Sequence, residues 1–156
     1  MANAVLVVDM VVGFLEEGHN LYFEGYRKIV PNIRRLIEAE QAAGSEVFFL
    51  CDTHVPNDLE FEIFPVPCVE GTEEPELIEE LSGYKGQVVR KRRYSAFHDT
   101  DLGERLVDLD PDKLVVCGVC TDVCVMHTAA DARNRDYVVE VPVDCVATFD
   151  LVEHEN

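Results

Sequence analysis

Short unbroken apolar runs punctuate the chain: AVLVVD, EVFFLCD, QVVRK, KLVVCGV and DYVVEVPVD. Runs this short and this rich in Val and Phe fit strands buried on both faces. Between the first two, Ile29, Ile33, Leu36 and Ile37 recur at helical spacing, and Gly44 follows as a stop signal. A second helix is predicted over EEPELIEEL, with Pro75 near its first turn, and a third over TDLGERLVDL, capped by Thr100 with Leu102 and Leu106 facing inward. A further helix is predicted from a Thr121 cap to Asn134. Strands alternating with helices predict an α/β fold, a doubly wound, mainly parallel sheet flanked by helices on both faces in a Rossmann-like three-layer arrangement. No internal repeat or dividing linker interrupts the pattern, so one domain over residues 1–156 is expected. The long irregular segment HVPNDLEFEIFPVPCVEGTEEP has the length of a functional loop.

In such a sheet the ligand lies beyond the carboxyl ends of the strands, where the winding reverses. Strand ends therefore become candidate positions: Asp9 after the first strand, Asp52 at the end of the second, Lys91 at the end of the third, and Cys120 and Cys124 after the fourth. Each alone is ordinary, since an Asp after a strand serves as a turn residue and Lys91 sits among the cations of RKRRY. Their convergence on one sheet edge is what points to chemistry.

The formal net charge of −18 repels phosphate backbones and anionic lipid, so neither nucleic acid nor a membrane surface is expected as a partner. The start, MANAVLVVDM, has no basic stretch and its apolar run is broken by Asp9, so no export signal is expected there and the cytoplasm is the expected compartment. In that reducing setting the six cysteines are expected as thiols.

Three of the six fall in VVCGVCTDVCVMHTAADAR. Cys117 lies inside a strand run, where a thiol behaves as a small apolar group. Cys120 sits in the turn, and Cys124 lies three positions past Thr121, where the positive end of the helix dipole is expected to lower its pKa. A nucleophile also needs a proton acceptor and a cation, and Asp9 and Lys91 supply that pair. A redox pairing of Cys120 with Cys124 is the weaker reading, because three residues separate them rather than two.

VLVVDMVVGF, DTH, PCVEGTEE, KRRYSAFHDTDL and VVCGVCTDVCVMHTAADA together resemble the isochorismatase-like cysteine hydrolases, a family that includes nicotinamidases and N-carbamoylsarcosine amidases. The resemblance implies a catalytic triad of Asp9, Lys91 and Cys124, and a cis peptide between Val119 and Cys120 that helps to present the oxyanion-hole N–H groups of Cys120 and Cys124. It implies cleavage of a small amide to acid and ammonia through a thioester. Isochorismatases proper lack the nucleophilic cysteine, so Cys124 directs the expectation to an amidase, nicotinamidase-like in the first place. The alternatives are a metal-free amidase of the carbamoylsarcosine or ureidoacrylate kind, and a non-catalytic oligomeric relative. Phe14, Phe64 and Tyr94 match positions that wall the family's pocket.

Asp52, His54 and Glu60 offer two carboxylates and one imidazole, acceptable ligands for Zn²⁺ or another divalent ion. By the resemblance, a metal site would also use a histidine in the loop that reads FPVPC here. Pro67 stands in that place, so the expected metal site is one ligand short. The family's further helix after ATFD is also missing, because the chain ends LVEHEN. A homo-oligomer is expected; either another subunit covers the surface this leaves, or the chain is a fragment.

Overall fold

The structure is a computed structural model that describes residues 2–19, 21–54 and 68–149. Strands β1 (Ala4–Val8), β2 (Glu46–Asp52), β3 (Gln87–Lys91), β4 (Leu114–Val119) and β5 (Val139–Glu140) form a parallel sheet in the order β3-β2-β1-β4-β5, and the short β6 (Val146–Ala147) pairs with the far end of β4. The central strands are buried along both faces because their alternate residues feed two cores. Val5, Val7, Val47, Phe49 and Val115 pack on one side, and Leu6, Val8, Phe48, Leu50 and Val116 on the other.

Helix α2 (Val30–Ala42) closes the first core with Ile33 and Ile37, and ends at Gly44, whose φ of +90° needs no Cβ to be avoided. Helix α4 (Leu102–Leu109) closes the second core with Leu102 and Leu106, and Thr100 Oγ1 accepts the Leu102 N–H at 3.2 Å. Helix α5 (Met126–Asn134) joins it there through Ala132. These are the three layers expected of a doubly wound fold. Among the described residues no helix is long and apolar enough to cross a membrane.

Three elements differ from the sequence reading. The helix predicted over residues 73–81 shrinks to α3 (Glu79–Ser82), because its first half pairs with the chain after β1. Val12 N–H donates to Glu76 O at 2.9 Å, Gly13 N–H to Glu74 O at 3.0 Å, and Ile78 N–H to Met10 O at 3.1 Å. The small helix α1 (Val12–Leu15) begins at this seam. The last predicted strand keeps only Val139 and Glu140, since Pro142 has no N–H to continue a ladder. Thr121 is not a cap: it is the first residue of a wide π turn (Thr121–Val125) that leads into α5, and Cys120 holds the cap position.

Candidate active site

The sheet winds one way from β1 through β2 to β3 and the other way through β4, so β1 and β4 flank the reversal. β4 approaches β1 closely at Gly118, whose φ is +111°; a Cβ there would lie 2.0 Å from Val8 O. Beyond this contact the chain turns sharply on both strands. Asp9 leaves β1 in the left-handed region with φ of +53°, and the Val119–Cys120 peptide is cis.

Asp9, Lys91 and Cys124 meet at this point. Lys91 Nζ lies 3.1 Å from Asp9 Oδ2, 3.3 Å from Cys124 Sγ and 3.4 Å from Asp52 Oδ1, and donates to Arg93 O at 2.9 Å. Asp9 Oδ1 accepts the Asp52 N–H at 2.8 Å, which fixes the carboxylate plane. Asp9 Oδ2 is buried and, among the described residues, has no hydrogen-bond donor in good geometry; the ion pair with Lys91 is what meets it. An acceptor so held is free to take a proton from the neighbouring thiol.

Burial dominates the electrostatics. It pushes the Asp9 carboxyl up to about 6, with Lys91 opposing and Asp52 adding to the rise. For Lys91 burial works downward, but the surrounding Asp9, Cys124 and Asp52 outweigh it and hold the ammonium well above the usual lysine range. The Cys124 thiol is raised well above its ordinary value by burial, against the pull of Lys91 and with the help of Asp9 and Asp52. This corrects the expectation of a lowered thiol pKa: the field of one helix turn is smaller than the cost of an anion in a buried site beside two carboxylates. Burial therefore favours the thiol form of Cys124 over the thiolate.

The other candidates divide. Cys117 is fully buried in the core and Cys120 is buried at the turn; all six cysteines are free. Phe14 is buried in the first core beside Met10 and Leu15, while Tyr94 is half-buried against the second core with its ring 5.3 Å from that of His127. Phe64, Glu60, Val66 and Pro67 lie outside the described residues.

Asp52 and His54 do come together: His54 Nε2 and Asp52 Oδ2 are 2.7 Å apart and both side chains are buried. Among the described residues, however, no group of three His, Cys, Asp or Glu side chains gathers to hold a metal, and Asp52 Oδ1 already faces Lys91. The described donors therefore fall short of a metal centre. Two roles went unforeseen at the sequence level. Asp52 stood out as a strand-end position and a metal ligand, and serves here as a second counter-charge for Lys91. Tyr26, whose hydroxyl lies 3.2 Å from Cys120 Sγ, belongs to no recognisable pattern.

The pyrazinamidase/nicotinamidase of Streptococcus mutans is 30% identical and superposes with a TM-score of 0.92 over 99% of this chain and 92% of its own. The N-carbamoylsarcosine amidase of Thermoplasma acidophilum is 36% identical, with a TM-score of 0.88 over 94% of this chain and 84% of its own. A probable inactive nicotinamidase of Arabidopsis thaliana is 33% identical over 86% of this chain and 74% of its own length. The pyrazinamidase of Pyrococcus horikoshii, 27% identical with a TM-score of 0.91 over 99% of this chain and 91% of its own, is known in complex with zinc. The profile of the isochorismatase domain matches residues 3–156, and with these likenesses in sequence and fold the chain belongs to the isochorismatase family of hydrolases.

Proposed function

We propose that the chain is a cysteine-dependent amidohydrolase that cleaves a small amide to acid and ammonia, with nicotinamide the leading substrate. The observation that carries this reading is the buried contact of one ammonium with both a carboxylate and a thiol, Lys91 with Asp9 and Cys124. A core-filling cysteine needs neither neighbour.

In the proposed mechanism Asp9 takes the Cys124 proton, and the thiolate forms beside Lys91, which neutralises it. The sulfur attacks the amide carbonyl carbon, and its π electrons move to oxygen, where the backbone N–H groups of Cys120 and Cys124 receive the charge. The C–N bond then breaks as the nitrogen takes the proton back from Asp9 and leaves as ammonia. Water attacks the thioester, Asp9 accepts its proton, and the C–S bond breaks to release the acid and restore the thiol. A base near 6 suits both transfers, since an effective general base has its pKa close to the working pH.

Phe14 and Tyr94 are proposed to face the substrate together with Phe64. Besides the substrate and one water, the steps use groups of the chain. A divalent ion, where present, is proposed to sit on Asp52 and His54 with Glu60 and to bind weakly because Pro67 supplies no ligand. The enzyme is proposed to work in the cytoplasm as a homo-oligomer.

The runner-up is an amidase for carbamoyl compounds, supported by the likeness to N-carbamoylsarcosine amidase. The similar Arabidopsis protein described as probably inactive raises a non-catalytic reading, against which Asp9, Lys91 and Cys124 all count.

Ammonia release from a panel of nicotinamide, pyrazinamide, N-carbamoylsarcosine and ureidoacrylate, with and without added Zn²⁺ or Mn²⁺, tests the reading. Cys124→Ala is expected to abolish release and Cys117→Ala to retain most of it. Turnover by the Cys124 variant near that of the wild type would remove the nucleophile from the proposal.

A further inference from the structure

The turn that begins at Cys120 is tied down by side chains from two distant parts of the chain. From one side, Tyr26 reaches it out of the 3-10 turn Glu24–Ile29 that precedes α2. The ring is buried, it meets Phe23 edge-on at 5.3 Å, and the hydroxyl lies 3.2 Å from Cys120 Sγ. From the other side, Thr148 follows β6, which pairs with the Gly118–Val119 end of β4. Its buried hydroxyl donates to Asp122 Oδ1 at 2.7 Å, two residues beyond Cys120. The Cys120 carbonyl between these ties accepts the N–H groups of Val123 and Val125, both at 3.1 Å, so the turn that delivers Cys124 is hung on Cys120.

A phenylalanine at position 26 would fill the same core volume. The hydroxyl adds a fixed direction for the Cys120 side chain, and the Thr148–Asp122 bond adds a second fixed point two residues later. Acyl transfer is sensitive to displacements of this kind, because donors to an oxyanion act only at the position the oxygen will occupy.

We infer that Tyr26, together with the Thr148–Asp122 pair, is a positioning residue that sets the Cys120 turn and through it the backbone donors facing the substrate carbonyl. The inference rests on the amidase reading. Neither Tyr26 nor Thr148 touches the reacting atoms, so their effect falls on the chemical step and not on substrate affinity.

The test takes Tyr26→Phe and the near-isosteric Thr148→Val, with Thr148→Ser as the variant that restores the hydroxyl. Each of the first two is expected to lower kcat about tenfold with KM changed less than about twofold, at temperatures well below Tm, and Thr148→Ser to recover most of the loss. A second readout does not depend on turnover. Pyridine-3-carboxaldehyde adds to Cys124 as a thiohemiacetal: the S–C bond forms, the C=O π pair goes to oxygen, and the thiol proton ends on that oxygen. The adduct protects Cys124 from iodoacetamide, and the Tyr26 variant is expected to need about tenfold more aldehyde for equal protection. Wild-type kcat and wild-type aldehyde protection in Tyr26→Phe, or a loss confined to KM or to Tm, would overturn the inference while leaving the amidase reading in place. A wild-type protein that hydrolyses no amide and whose Cys124 no aldehyde protects would overturn the amidase reading and the inference with it.

Discussion

Asp9 meets two opposed demands. In the proposed mechanism it must be ionised to accept the Cys124 proton, yet it is buried where ionisation is costly, and the compromise is a carboxyl pushed up to about 6. kcat/KM is therefore expected to be flat above neutrality and to fall tenfold per pH unit below about 6, as Asp9 becomes protonated. A profile that stays flat to pH 4.5 would show that another group is the base. Stability runs the opposite way: a carboxyl raised above its unfolded value favours the folded state while protonated, and that contribution fades as pH rises through about 6. Lys91→Met should destroy activity and also cost stability, on the order of 3 kcal/mol, because it leaves Asp9 and Asp52 buried without their shared cation. At this scale the residues of the site were legible in the sequence as acids, a lysine and cysteines placed after apolar runs. Their protonation was not, because burial in the assembled fold decides it, and Cys124 shows how far a helix-dipole argument can be overruled.

The elements that matter most are β1 and β4, and Gly118 is the residue on which their contact depends. A Cβ would meet Val8 O at 2.0 Å in a backbone conformation that L side chains avoid, so Gly118→Ala is expected to lower stability by about 3 kcal/mol or more. Gly103 in α4 is the control, since a Cβ there meets Phe97 at an ordinary 3.9 Å; Gly103→Ala is expected to be neutral or to stabilise by up to about 1 kcal/mol. Urea midpoints at unchanged m-value measure both, and equal effects would show that the close approach is unimportant. The strands were readable because each is a short run that must be apolar on both faces. The helix expected over residues 73–81 was not, because its acidic, Pro-initiated start looks helical while its backbone is claimed by Met10 to Gly13. Local propensity lost there to a pairing partner some sixty residues away, which periodicity cannot see. Tyr26 was hidden for the same reason, since the contact that distinguishes it among the described residues is with Cys120, 94 positions along the chain.

On the scale of the whole molecule, a buried cluster of paired charges sits in a strongly negative protein. The formal charge of −18 creates a field that reaches roughly 30 Å at about 0.01 M salt and only about 8 Å at 0.15 M. The cluster of Asp9, Lys91, Asp52 and Cys124 is buried and little screened, whereas exposed ion pairs such as Arg90 with Glu76 contribute little at any salt. Self-repulsion is then the term that salt changes most, and Tm is expected to rise across this range, by about 2–4 °C for each kcal/mol of repulsion removed. The same field separates the two leading substrates. Nicotinamide is neutral and approaches without electrostatic work, so its kcat/KM should be independent of salt. N-carbamoylsarcosine carries a carboxylate and must approach against the field, so its kcat/KM should increase as salt screens that repulsion. Measuring both substrates over this salt range at pH 7.5, where Asp9 is ionised, checks the assignment. A nicotinamide kcat/KM that rises with salt as steeply as that of the carboxylate substrate would mean that the dependence arises from the protein's own stability or assembly and not from substrate charge.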